Sequence, residues 1–157
     1  MFFTPSAKVK LGVSGCPRNC AEATVKDLGI ICVESGYDIH IAGAAGLHVR
    51  GTDLLGHVTT EEEAIEYVAA VMQLYREQGA YLERVWKWVE RVGLEKVRAA
   101  IMEDHEGRRA LLERFKKSQY AVRKDPWAER AAGRELNEFM PLAVLEPIRP
   151  VMPVAAE

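Results

Sequence analysis

The sequence contains no long apolar run, little net charge and few cysteines. Although 48% of its 157 residues are hydrophobic, no stretch approaches the roughly 20 apolar residues of a membrane-spanning helix. A formal net charge of -2 provides no general attraction for nucleic acid or acidic membranes. The opening MFFTPSAKVK lacks the apolar core and cleavage site of a secretory signal. We therefore expect a cytoplasmic protein with no nucleic-acid or membrane partner.

Three cysteines are an odd number and too few for a disulfide scaffold. In a cytosolic protein such thiols are expected to be reduced or bound to metal. Cys16 and Cys20 are separated by three residues in SGCPRNCAEA, whereas Cys32 lies inside the apolar run GIICVES. The position of Cys32 predicts a core residue. Cys16 and Cys20 are therefore the candidate metal ligands.

The chain divides into a glycine-punctuated β part and a helical part. Within residues 8–58, KVKLGVSG, GIICVES, YDIHIA and the short GLHVRG predict four strands. From Thr60 onward the apolar spacing is helical, with a capping box between Thr60 and Glu63 and helix ends at Gly79 and Gly93. Four helical stretches are expected before Pro126, and a short fifth over residues 128–139. These patterns predict an α+β fold with a small mixed or antiparallel sheet.

The chemistry of the cysteine pair stays open on spacing alone. Cys16 follows the first strand, and Cys20 lies at the predicted start of a helix, AEATVKDL. A helix N-terminus favours thiolates, which suit a soft metal or an iron–sulfur cluster. However, a C-x3-C spacing is equally explained by two structural cysteines, and a zinc half-site or a catalytic thiol are further alternatives. His40, His48 and His57 are predicted to be strand or loop residues.

The stretch VKLGVSGCPRNCAEATVKDLGI resembles the second cysteine pair of the siroheme nitrite and sulfite reductase family. The resemblance is nearest to the large subunits of assimilatory NAD(P)H-dependent nitrite reductases. It continues through IHIAGAAGLHVRGTDLL, LYREQGAYLERVWKWVERVGLEKV and DPWAER, and covers roughly residues 8–142. Several separate segments in the family's order make the resemblance specific.

This resemblance implies roles for individual residues. In the family, four cysteines hold a [4Fe–4S] cluster, and the last of them bridges it to the siroheme iron. By position, Cys16 would be the third ligand and Cys20 the bridging one. Arg18 and Asn19 would lie against the cluster or the siroheme edge, although the residues alone fit a solvent-facing turn residue and a helix cap equally well. Gly43 would let the backbone approach the cofactor, or make an ordinary turn.

The resemblance also implies what the chain does not carry. The earlier cysteine pair and the FAD and NAD(P)H sites would lie in a missing N-terminal portion, and a small subunit is a further expected partner. We expect residues 1–58 to be the second half of a siroheme and iron–sulfur domain, residues 59–140 a helical C-terminal extension, and residues 141–157 an extended proline-rich tail. Without the missing portion, some apolar surface of the helical region would be exposed and would favour self-association.

Two functions follow. The first is the cluster- and siroheme-binding C-terminal portion of a nitrite reductase large subunit, which reduces nitrite to ammonia with six electrons and is inactive without the missing portion. The second is a non-catalytic remnant that acts as an interaction or assembly module, with both cysteines unligated.

Overall fold

The computed structural model describes residues 7–122 and 131–133. In chain order, its strands and short helix are β1 (Leu11–Ser14), a 3₁₀ helix (Ala23–Val25), β2 (Leu28–Val33), β3 (Gly36–Ile41), β4 (Ala44–Ala45), β5 (Val49–Arg50) and β6 (Asp53–Val58). The helices that follow are α1 (Glu61–Gln78), α2 (Val85–Val92), α3 (Leu94–Arg98), a π-helical turn (Ala99–Glu103) and α4 (His105–Val122). Strands followed by helices confirm the predicted α+β class.

Four strands form one mixed sheet in the spatial order β1-β2-β3-β6. Strand β1 runs parallel to β2, and the two remaining pairs are antiparallel, with a register shift between Ile39 and His40. Strands β4 and β5 form a separate small hairpin. The sheet is therefore small and mixed, as the sequence predicted.

The identity of the fourth sheet strand differs from the prediction. The stretch GLHVRG contributes only β5, which pairs with β4 and not with the main sheet. The fourth strand is β6, whose apolar alternation is interrupted by Gly56. A Cβ at Gly56 would overlap the side chain of Met102 from the π-helical turn. A partner about 46 positions away, invisible in the local pattern, therefore explains the glycine in this strand.

The helices begin and end largely where the sequence predicted. The Thr60 side chain accepts a hydrogen bond from the Glu63 N–H, and the Glu63 carboxylate accepts one from the Thr60 N–H, which confirms the capping box. Gly79 and Gly93 follow the last residues of α1 and α2. Leu82 lies three residues before α2, where it has φ +61° and is exposed.

The core lies between one face of the sheet and the helices. Its largest fully buried side chains include Trp88 and Tyr75, whose rings are 5.5 Å apart, together with Ile39, Ile41 and Leu55 from the strands. Sheet and helices thus share one apolar cluster. The division at residue 58 stays a prediction. The predicted helix at 128–139, apart from residues 131–133, and the tail at 141–157 lie outside the described residues.

None of the helices in the described part of the chain combines the length and the apolar character needed to cross a membrane.

The capping box gives a direct test of the start of α1. We expect Thr60→Ala to lower the free energy of unfolding by about 1 kcal/mol, because the Glu63 N–H loses its acceptor. Urea denaturation followed by circular dichroism would measure the change. Thr60→Ser retains the hydroxyl and is the control, with a midpoint close to the original. An unchanged midpoint in Thr60→Ala would show that the cap contributes nothing.

Candidate functional site

A loop after β1 carries the two candidate ligands. Cys16, Cys20 and Arg18 are all exposed on it. The Asn19 N–H donates to the Cys16 carbonyl over 3.1 Å, which closes a tight turn between the two cysteines. The loop therefore presents both thiols to the outside of the described structure.

Asn19 fixes this loop from within. Its backbone has φ +54°, in the left-handed region that asparagine tolerates better than most residues. Its side-chain oxygen accepts bonds from the Ser14 hydroxyl at 3.0 Å and the Ala23 N–H at 2.7 Å. Its amide nitrogen donates to the Thr24 hydroxyl over 2.6 Å. One half-buried side chain thus joins the end of β1 to the 3₁₀ helix across the cysteine loop.

The predicted α-helix after Cys20 is wrong. Only the three-residue 3₁₀ helix Ala23–Val25 follows the loop. The chain enters it through Glu22 at φ +54° and leaves it through an extended Lys26, because β2 begins at Leu28 and needs the backbone straight. A three-residue turn has no appreciable helix dipole, so the proposed helix-terminus stabilisation of a thiolate does not apply to Cys20.

Gly43 lies against the protein's own backbone. Its N–H donates to the Lys26 carbonyl over 2.9 Å, and a Cβ there would overlap that carbonyl oxygen and lie 2.7 Å from the Thr52 methyl group. The preceding Ala42 has φ +69° and is fully buried. The backbone at 42–43 therefore packs tightly on the segment that follows the cysteine loop. A role of Gly43 beside a cofactor stays a prediction.

A cleft of about 240 Å³ opens beside this contact. The residues that line it include Lys8, Lys10, Arg84 and Asp27, and a stacked pair formed by His48 and Trp86, whose ring centroids are 4.6 Å apart. Three cationic residues against one acidic residue make the lining basic.

Asp27 is the buried centre of this region. Its carboxylate oxygen Oδ2 accepts from the Lys10 N–H at 2.8 Å and from the Arg84 Nη2 at 2.6 Å, while Oδ1 is buried without a partner. This ion pair was not predicted from the sequence. A lone aspartate directly before the apolar run LGIICV signalled a buried carboxylate, but nothing in the sequence indicated Arg84, 57 residues away, as its partner.

Cys32 is half-buried and lies outside the core cluster, which corrects its assignment as a core residue. Its side chain follows Leu28 and Ile30 on one face of β2, and Leu28 is buried whereas Ile30 is only half-buried. Cover by the helices therefore decreases toward this end of the strand. In residues 7–122 and 131–133, no group of three or more His, Cys, Asp or Glu side chains is placed to hold a metal ion.

The three histidines of the β part, His40, His48 and His57, lie on strands or in a loop, as predicted. His40 on β3 is half-buried next to the Thr52 hydroxyl, and this burial lowers its pKa. His48 lies in the loop between β4 and β5. His57 on β6 pairs with Asp38 on β3 at 2.8 Å, and this hydrogen bond raises the pKa of His57 above 6.5.

Comparison with known proteins gives a family match. Residues 2–109 match the sequence profile of the nitrite and sulphite reductase 4Fe-4S domain. The matched segment contains the cysteine loop, the small hairpin and the sheet.

Several characterised relatives are similar to this chain. A nitrite reductase [NAD(P)H] of Bacillus subtilis is 46% identical over 78% of this chain, which covers 15% of that relative. A nitrite reductase (NADH) large subunit of Escherichia coli is 38% identical over 68% of this chain and 13% of its own length. An assimilatory-type sulfite reductase of Nitratidesulfovibrio vulgaris is 35% identical over 61% of this chain and 44% of its own length. The chain thus spans only a small part of the two nitrite reductases.

The pair formed by His57 and Asp38 predicts a pH dependence. Because the pKa of His57 is raised by Asp38, the pair stabilises the fold fully below about pH 6.5, and this stabilisation is lost as the pH rises through the raised value. We expect the His57 ring protons to titrate in NMR spectra with a midpoint above 6.5, and Asp38→Asn to lower that midpoint. Asp53→Asn, which removes a carboxylate at the other end of β6 that is paired with Arg50, is the control and should leave the midpoint unchanged. A titration midpoint that stays the same in Asp38→Asn would contradict the claim that Asp38 raises the pKa of His57.

Gly43 and Gly46 form a matched pair for testing the backbone contact. A Cβ at Gly43 meets backbone atoms, whereas a Cβ at Gly46 has nothing within 4 Å. We expect Gly43→Ala to lower the free energy of unfolding by about 2 kcal/mol or more, and Gly46→Ala to change it by less than about 0.5 kcal/mol. Thermal unfolding would measure both. Equal effects would mean that the segment at 25–26 moves away at little cost.

Proposed function

Because this chain belongs to the nitrite and sulphite reductase 4Fe-4S domain family, we propose that it is the cluster-binding C-terminal portion of a nitrite reductase large subunit. The observation that carries the proposal is the loop between β1 and the 3₁₀ helix. It presents two exposed thiols, Cys16 and Cys20, on a backbone fixed by Asn19, within the segment that the family profile matches.

The two thiols fit part of the donor set of a [4Fe–4S] cluster. Such clusters are held by cysteine thiolates, usually four, and accessible thiols on a fixed loop can bind without a costly rearrangement. We propose Cys16 and Cys20 as two of these ligands, with Cys20 as the bridge to siroheme. When bound, the cluster and siroheme supply the electron transfer that reduces nitrite to ammonia.

The residues between the thiols differ in what they can do. Arg18 is exposed, so its guanidinium is available to donate hydrogen bonds to an anionic cofactor group. Asn19 already bonds to Ser14, Ala23 and Thr24. We propose that Asn19 acts as a positioning residue that holds the spacing of the two cysteines. We further propose that Gly43, between β3 and β4, lets the backbone pack closely on Val25 and Lys26, which follow the loop.

The remaining ligands belong to another stretch of polypeptide. The described residues place no third ligand beside Cys16 and Cys20. We propose that the isolated chain is inactive, and that an upstream portion supplies the other cysteines together with FAD and NAD(P)H sites. A small subunit is a further proposed partner. In this arrangement residues 1–58 complete the siroheme and iron–sulfur domain, residues 59–140 are its helical extension and residues 141–157 its tail.

Anaerobic reconstitution tests the proposal. The full chain would be incubated with ferrous iron and sulfide, alone and with the upstream portion of the Bacillus subtilis relative, and the bound iron and acid-labile sulfide would be measured. We expect little stoichiometric iron in the chain alone and about four iron atoms per complex when the upstream portion is present. Cys16→Ser and Cys20→Ser should abolish this uptake.

Cys32→Ser is the matched control, because it removes the third thiol without touching the loop. It should leave iron uptake unchanged. Four iron atoms in the chain alone would disprove the claim that a second portion is needed. A folded complex without iron, unaffected by Cys16→Ser, would favour the alternative of a non-catalytic interaction module.

A further inference from the structure

The two edges of the main sheet differ in how they are covered. At the β6 edge, Arg98 donates from Nη2 to the Leu54 carbonyl over 2.8 Å and from Nε to the Leu55 carbonyl over 3.1 Å. This side chain occupies backbone acceptors that another strand would need. At the other edge, β1 pairs with β2 alone among the strands of the described chain. The β1 edge is therefore the open one.

The open strand also exposes apolar side chains on the core face. Register places Leu11 beside the buried Leu28 and Val13 beside Ile30, on the face that the helices cover over β2 and β3. Yet Leu11 is 58% and Val13 is 59% exposed. The apolar face of the sheet thus continues across β1 without a cover from the described residues.

The backbone of β1 is oriented for pairing. The Leu28 N–H donates to the Lys10 carbonyl over 3.2 Å, which directs the backbone groups of Lys10 toward β2. Because these groups alternate in direction along a strand, Leu11 and Val13 present their N–H and C=O groups to the open edge. Main-chain bonds and apolar contacts are therefore available along the same short strand.

We propose that the β1 edge binds an extended strand of another stretch of polypeptide, apolar at alternate residues and acidic at the intervening ones. Alternate apolar residues would cover Leu11 and Val13. Lys8 and Lys10 are exposed on the opposite face, where acidic side chains of the bound strand would complement them. The proposed function enters only as the source of the strand, since the nitrite reductase relatives are several times longer than this chain.

A second copy of the chain is a poorer occupant. Two copies would bring their lysines to the same small contact, with no acidic residue in β1 to balance them.

A peptide probe tests the proposal without metal or cofactor. Failure to bind the peptide can therefore be distinguished from failure to take up iron, which concerns the proposed function. A fluorescein-labelled seven-residue peptide that alternates valine and glutamate would be titrated with the full chain and followed by anisotropy. We expect saturable binding, and about tenfold slower hydrogen exchange at the Leu11 and Val13 amides in the complex. The matched peptide that alternates valine and lysine should bind about tenfold more weakly.

Leu11→Lys and, independently, Val13→Lys should weaken binding at least about tenfold, since each places a charge in the apolar contact. Ile65→Lys is the matched control, because Ile65 is also 58% exposed but lies on α1. Equal binding by all three variants, or no binding by the original chain, would overturn the proposal. Slow hydrogen exchange at the Leu11 and Val13 amides in the peptide-free monomer would also overturn it, because another segment of this chain would then cover the edge. A dimer that Leu11→Lys dissociates would overturn it as well, because a second copy would then be the occupant.

Discussion

A single buried carboxylate joins the parts of the structure that surround the cysteine loop. Asp27 accepts from the Lys10 backbone ahead of β1 and from Arg84 ahead of α2, and its own carbonyl accepts from the Ala42 N–H at the end of β3. Burying a carboxylate costs several kcal/mol of free energy unless it is paired and hydrogen-bonded. Separating Asp27 from these partners would therefore destabilise the fold. The arrangement of strand, hairpin and helix around the loop depends on this network.

The loop itself is fixed at both ends by different chemistry. Asn19 bonds to Ser14 before the loop and to Ala23 and Thr24 after it, while Asp27 anchors the chain where β2 begins. Between these anchors the two thiols remain exposed. Rigid support with accessible donors is the arrangement that a ligand loop requires, because little conformational entropy is then lost when the remaining ligands arrive.

The same end of the molecule also carries the open edge of the sheet. Strand β1 leads directly into the cysteine loop, and the two lysines that precede it, Lys8 and Lys10, line the basic cleft together with Arg84. The opposite edge is occupied by Arg98, and the helices cover the centre of the sheet. The unpaired backbone groups and exposed apolar side chains of the sheet thus lie at the β1 edge, next in the chain to the proposed ligands.

Residues close together in the chain were enough to predict the α+β class, the capping box at Thr60, the helix ends at Gly79 and Gly93, and the family resemblance around Cys16 and Cys20. Four features were not predicted: β6 completes the sheet, with Gly56 packed against Met102; no α-helix follows Cys20; Ala42 adopts a positive φ; and Asp27 pairs with Arg84. Each of these results from contacts between distant segments. Their free energy outweighs local preference, and no local pattern encodes it.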